Sequence, residues 1–97
     1  MEIIHNFTNF EATEAIKNVA NEKSQKFEKF FKKDLRVVWT FSLENHEHKA
    51  HCHLHGGKET VDAEAVSDLL YKSIDLCVEK VVKQIARHKA QLHHHQH

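Results

Sequence analysis

Residues 68–89 read DLLYKSIDLCVEKVVKQIARHK and contain neither glycine nor proline. On a helical wheel of about 100° per residue, the apolar side chains here and just beyond share one arc: Leu70, Ile74, Cys77, Val78, Val81, Ile85 and Leu92. Cations gather on the opposite arc: Lys72, Lys80, Lys83 and Arg87. The pattern predicts an amphipathic helix whose apolar side packs on the rest of the chain and whose basic side is free to bind an anion.

The stretch before this helix alternates in the way that β-strands do. Residues 35–44 (LRVVWTFSLE) place an apolar side chain at every second position, and residues 46–55 alternate again. The short link at 45–46 predicts a hairpin. The glycine pair at 56–57 marks the next turn, and a further strand is predicted over 58–65.

The N-terminal third predicts a strand followed by a helix. Residues 2–7 are β-prone, and Thr13 is a candidate N-cap for a helix that extends to about Phe31. The predicted order is therefore β-α-β-β-β-α. We expect a single α+β domain with a four-stranded sheet, the first strand parallel to the second, and both helices packed on one face of the sheet.

Composition limits the class of protein. A chain of 97 residues with 40% apolar and 29% charged residues is expected to form one soluble domain. It shows neither an apolar run as long as a membrane span nor the features of a signal peptide, so we expect a cytoplasmic protein. Cys52 and Cys77 lie among apolar residues and are expected to be buried thiols.

The formal net charge is zero, but the charges are segregated along the chain. Residues 17–36 and 72–97 carry an excess of lysine and arginine, whereas residues 1–16 and 37–71 carry an excess of acids. Both basic segments overlap predicted helices. Because both helices are expected on one face of the sheet, we expect their outer surface to present two adjacent rows of cations, which suits a phosphate backbone.

Four stretches of the chain together resemble a known family: NFEATEAIKNVANEKSQKFEKFF at 9–31, HKAHCHLHGG at 48–57, VDAEAVSDLLYKSIDL at 61–76 and VEKVVKQIARHKAQL at 78–92. In order and spacing they resemble the short-form ribosome hibernation promoting factors and the ribosome-associated inhibitor A, described as ribosomal subunit interface proteins. The resemblance implies a protein that binds the small ribosomal subunit in the path of messenger RNA and of the A- and P-site tRNAs. It further implies inhibition of translation in stationary phase or under stress, which favours inactive ribosomes.

The resemblance also implies which residues contact 16S rRNA. They are Lys23, Lys26, Lys29, Lys80, Lys83, Arg87, Lys89, Tyr71 and Asp75. Tyr71 and Asp75 match the family's Asp-x-x-Tyr-x-x-x-Asp pattern, which opens at Asp68. No cofactor or catalytic residue is implied. Long-form members carry a further dimerisation domain, so we expect this chain to be a monomer when free and to need a separate ribosome modulation factor to pair ribosomes.

Histidine is frequent, with 11 residues in the chain. His51, His53 and His55 would share one side of a strand, which leaves a His-rich metal-binding protein as an alternative, although no metal site is predicted. We assign residues 1–92 to the ribosome-binding domain and residues 93–97 to a His-rich tail that is expected to be disordered.

A general double-stranded RNA-binding module is the other alternative, because its α-β-β-β-α order is contained in the predicted one. Such a module concentrates its basic residues in a loop and at one helix start, whereas here they follow two helices. We do not expect an enzyme, because the sequence contains no phosphate-binding glycine loop and no Gly-x-Ser-x-Gly motif.

Overall fold

The computed structural model describes residues 1–31 and 34–95, and the side chains of these residues up to position 88. The elements in chain order are β1 (Glu2–Thr8), α1 (Glu14–Ser24), a 3₁₀ segment (Gln25–Phe30), β2 (Leu35–Glu44), β3 (Glu47–Gly56), β4 (Glu59–Ser67) and α2 (Leu70–His95). This order confirms the predicted β-α-β-β-β-α arrangement. The proposed tail at 93–97 overlaps the end of α2 and continues outside the described residues, so a boundary at residue 92 stays a prediction.

The four strands form one sheet in the order β1-β2-β3-β4. β1 runs parallel to β2, as a right-handed crossover through α1 predicts, and the other two pairs are antiparallel. α2 packs on β3 and β4 and touches α1. The indole Nε1 of Trp39 on β2 donates a hydrogen bond to Ser24 Oγ of α1 at 2.8 Å. Both helices therefore cover the same face, as predicted.

The covered face of the sheet forms the core with α2. Trp39, Phe41 and Leu54 are fully buried on the sheet side. On α2, every predicted apolar position with a described side chain is buried: Leu70, Ile74, Cys77, Val78, Val81 and Ile85. The apolar side chains that alternate along the strands thus pack against the apolar face of α2 in one hydrophobic core.

α1 ends earlier than the sequence predicted. Its α-helical part stops at Ser24, and the chain continues to Phe30 in 3₁₀ geometry. Ser24 Oγ donates to the carbonyl oxygen of Ala20 at 2.7 Å, a back-bond of the kind that bends helices. The same hydroxyl accepts the bond from Trp39, and Phe27 in the 3₁₀ segment is fully buried. The chain thus changes from α-helical to 3₁₀ geometry at Ser24, which bonds to Trp39, and just before the buried Phe27.

Other local predictions agree with the structure. Thr13 caps α1, since its Oγ1 accepts a hydrogen bond from the backbone N–H of Ile16 at 3.1 Å. Asn45 and His46 have φ angles of 51° and 65°. A two-residue hairpin turn of type I′ requires such left-handed values at both positions, so the predicted β2–β3 hairpin is confirmed.

Gly56 lies at the end of β3 against Phe31 and Leu35. A Cβ at this position would lie 2.7 Å from Phe31 Cδ1 and 3.1 Å from Leu35 Cδ1. Because overpacking forces these side chains to shift, we expect Gly56→Ala to lower the free energy of unfolding by about 1–3 kcal/mol in urea titrations. Gly57→Ala is the comparison, since its Cβ would meet nothing within 4 Å and only its φ of +61° opposes an alanine. A Gly56→Ala protein as stable as the wild type would contradict the overpacking argument.

Candidate nucleic-acid interface

The cations of α2 lie on its solvent side. Lys80, Lys83 and Arg87 are exposed. Among the described residues, neither Lys83 nor Arg87 has a carboxylate within ion-pair distance. Lys80 differs from them, because its Nζ donates to the backbone oxygen of Glu64 on β4 at 2.8 Å. Among the cations of α2 whose side chains are described, Lys83 and Arg87 are therefore the most available to an external anion.

The family resemblance assigns Lys23 and Asp75 to RNA contact as two separate residues. In the structure they form an ion pair with each other. Lys23 Nζ lies 3.1 Å from Asp75 Oδ1, and the pair joins α1 to α2. Their side chains are 35% and 59% exposed, so the pair is open to solvent and adds little to stability. Tyr71 precedes Asp75 by one helical turn, which places it on the same side of α2, and it is 48% exposed. This junction presents an aromatic ring beside an ion pair.

The remaining predicted contacts lie elsewhere. Lys26 and Lys29 are exposed on the 3₁₀ segment and not on an extended α1. The side chain of Lys89 lies outside the described residues, so its predicted contact stays a prediction.

The two adjacent rows of cations that the sequence suggested stay a prediction, because the angles around α2 show only how its own cations are arranged. Asp75 marks the side of α2 that meets α1, because it pairs with Lys23. Lys80 and Arg87 follow Asp75 by five and twelve residues, which turns them about 140° and 120° round the helix in the same direction. The cations of α2 therefore line its outer surface and the flank above β4. A helical wheel gives these angles but does not show which flank turns towards α1.

Three histidines of β3, His51, His53 and His55, lie on the helix-free face of the sheet and bond to side chains of β4. His51 Nε2 and His53 Nδ1 lie 2.7 Å and 3.2 Å from the same oxygen of Asp62, and His55 Nδ1 lies 3.3 Å from Thr60 Oγ1. Within the described part of the chain, no group of three or more His, Cys, Asp or Glu side chains has the arrangement to hold a metal ion. The alternating histidines act here as cross-strand polar partners, which the sequence could not show without the β3–β4 register.

The two cysteines are free and buried between the sheet and α2, as predicted. Burial raises the pKa of the Cys52 thiol, with further contributions from Cys77 and Asp62. Burial also raises the pKa of Cys77, from 9.0 to about 12. Thiols held in the neutral form are poor nucleophiles and poor metal ligands, so neither cysteine is suited to catalysis.

We expect both thiols to resist alkylation in the native protein. At pH 9 a free thiol is about half ionised, whereas a thiol with a pKa of about 12 is roughly a thousandth ionised. Iodoacetamide should therefore react at least about 100-fold more slowly with the native protein than with the urea-unfolded chain, as followed by mass spectrometry. Comparable rates in the two states would contradict the burial of these thiols.

No helix within the described residues has the length and apolar character that a membrane crossing requires.

The fold and the surface charge define a small α+β domain whose two helices cover one face of a four-stranded sheet and carry exposed cations. The chain belongs to the family described as "Sigma 54 modulation protein / S30EA ribosomal protein", whose family model matches residues 3–93. This confirms the resemblance to hibernation promoting factors seen in the sequence. No curated protein matches the chain.

Solved structures show the same fold. The N-terminal domain of Protein Y from Thermus thermophilus superposes with a TM-score of 0.83 at 24% identity, covering 90% of this chain and 98% of that one. A ribosomal subunit interface protein from Coxiella burnetii superposes with a TM-score of 0.81 at 19% identity, covering 93% and 99% of the two chains.

Proposed function

We propose that the protein is a ribosome hibernation factor that binds the small ribosomal subunit and inhibits translation. The observation that carries the proposal is membership of the S30EA ribosomal protein family over almost the whole chain. The similarity in fold to a ribosomal subunit interface protein supports it. In this proposal the factor acts in the cytoplasm of stressed or stationary cells and occupies the messenger RNA channel and the A and P sites.

The proposed contact surface begins on the outer side of α2. Lys83 and Arg87 bind phosphate groups of 16S rRNA directly, because they are exposed and have no carboxylate partner among the described residues. Lys26, Lys29 and Lys89 extend the surface. Lys80 contributes charge, but part of its hydrogen-bonding capacity is used by β4.

The α1–α2 junction supplies the second part of the proposed surface. Tyr71 offers a half-exposed ring on which an unpaired base can stack. Asp75 would be repelled by phosphate if it stood alone, but its pairing with Lys23 makes the two residues jointly neutral. We assign Asp75 the role of holding the Lys23 ammonium between the helices. To pair ribosomes, the protein would need a separate modulation factor.

Co-sedimentation tests the proposal. The protein is incubated with purified small subunits, purified large subunits or naked duplex RNA, and its position in a sucrose gradient is measured at several salt concentrations. We expect selective association with the small subunit that weakens steeply as salt rises, because phosphate contacts release counterions. Equal association with any duplex RNA would favour the alternative of a general double-stranded RNA-binding module and overturn the proposal.

A further inference from the structure

The two outer edges of the sheet differ in how they are protected. Beside β4, side chains of α2 reach over the edge: Lys80 Nζ donates to the Glu64 carbonyl oxygen at 2.8 Å, and Gln84 Nε2 donates to the Asp62 carbonyl oxygen at 2.9 Å. These bonds occupy acceptors that a further strand would need. The β4 edge is thus closed to additional pairing.

The β1 edge has no such protection. β1 pairs with β2 along all seven of its residues. Within the described residues, no side chain or backbone group from outside the sheet hydrogen-bonds to the backbone of Glu2–Thr8. In a parallel pair, every second residue points both its N–H and its C=O away from the partner strand. β1 therefore offers an unpaired row of donors and acceptors.

The sequence of β1 also lacks the features that usually prevent an edge strand from pairing with another strand. EIIHNFT contains no lysine and no proline, and no residue in it has a positive φ that would mark a glycine-type bulge. Its one charged residue, Glu2, is paired with Arg36 at 3.2 Å. Neither an unpaired charge within β1 nor a bulge of this kind opposes the approach of another strand.

We propose that β1 is a self-association edge, at which two copies of this chain pair their β1 strands antiparallel about a two-fold axis at His5. His5 is the central residue of the strand, so this register uses all seven positions. It sets Ile3 opposite Phe7 of the second copy on the helix-covered side, where both residues are only partly buried in the single chain. The only charged residue of β1, Glu2, lies opposite Thr8 at either end, so no like charges meet.

Pairing through one strand edge gives a weak dimer that dissociates on dilution. The expected dissociation constant lies in the high micromolar range, so the dilute protein is a monomer and concentrated protein is not. Lys80 lies above β4, at the opposite edge of the sheet, and pairing at the β1 edge leaves the solvent side of α2 uncovered. The inference is therefore independent of the proposed ribosome binding.

A comparison of two cysteine variants of β1 tests the register. Full-length His5→Cys and Thr8→Cys proteins are mixed with oxidised glutathione at high concentration, and disulfide-linked dimers are followed on non-reducing gels. Opposed residues of an antiparallel pair have Cα atoms about 4.5–5.5 Å apart, which a disulfide can span, whereas two Thr8 positions would be about 20 Å apart. We expect His5→Cys to cross-link at least about tenfold faster, although Thr8 is the more exposed position. Equal or faster cross-linking at residue 8 would overturn the two-fold register.

Sedimentation velocity on the unmodified chain tests the edge without any cysteine. We expect the wild-type protein to show a concentration-dependent rise in sedimentation coefficient and Ile4→Lys to remain a monomer, because a lysine on an edge strand opposes pairing. Asn6→Lys, which in this register lies opposite Ile4 of the second copy, should also weaken the dimer. A wild-type protein that stays monomeric up to millimolar concentration would overturn the proposal, as would a dimer that both lysine variants leave unchanged.

Discussion

Lys83→Glu combined with Arg87→Glu is expected to lower the affinity for the small ribosomal subunit about 10²–10⁴-fold. A hydrogen bond from a cation to a phosphate is worth about 1.5–3 kcal/mol, and each 1.4 kcal/mol is about a factor of ten in affinity. The reversed charges also repel the phosphates. Co-sedimentation at fixed salt measures the loss, and the slope of log affinity against log salt should fall by about two.

The matched control reverses two cations outside the proposed surface. Lys17→Glu with Lys58→Glu changes the net charge by the same amount, because it too replaces two cations by two carboxylates. Lys17 lies on α1 beside Glu14, and Lys58 lies in the β3–β4 turn. Circular dichroism should show that both double variants fold, because all four side chains are at least partly exposed. If the control loses as much affinity as the α2 variant, bulk charge and not the outer side of α2 governs binding.

Lys80 is left out of this test for a structural reason. Its Nζ covers the β4 edge by bonding to Glu64, so Lys80→Glu would place a carboxylate against a carbonyl oxygen as well as removing a cation. A loss of binding in that variant would not separate RNA contact from damage to the sheet edge.

The strands and α2 could be predicted because each depends on a period within its own residues. Alternation over residues 35–55 is sufficient for β2 and β3, and the positive φ angles at Asn45 and His46 agree with a link of two residues. The end of α1 depends on a residue of another element. Trp39 hydrogen-bonds to Ser24 across 15 positions, and no local pattern records that contact.

The candidate site was predictable in composition but not in arrangement. The wheel separates the cations of α2 from its apolar side, and the structure confirms that separation. The helical wheel cannot show that Asp75 pairs with Lys23, or that Lys80 bonds to the carbonyl oxygen of Glu64, 16 residues away on the edge strand. These pairings follow from how α2 lies across β3 and β4, which is a property of the packed core.

Trp39→Ala is expected to destabilise the protein by about 3–5 kcal/mol, a large share of the net stability of a domain of this size. Trp39 is the only tryptophan and is fully buried, stacked on Phe41 at a centroid distance of 5.6 Å. Its indole N–H donates to Ser24 Oγ, which in turn donates to the Ala20 carbonyl. One side chain thus fills the core and fixes the end of α1 to the sheet. Urea unfolding followed by circular dichroism measures the effect, since the variant has no tryptophan fluorescence.

A double-mutant cycle separates the hydrogen bond from the packing. Ser24→Ala leaves the buried indole N–H without its acceptor and should cost about 1–3 kcal/mol, whereas Trp39→Phe removes the donor and keeps most of the ring. If the bond couples α1 to β2, Ser24→Ala should cost less in the Trp39→Phe background than in the wild type, because no donor is then left unpaired. Additive costs would mean that Trp39 acts by volume alone. The end of α1 at Ser24 would then need another cause than the indole that reaches it from β2.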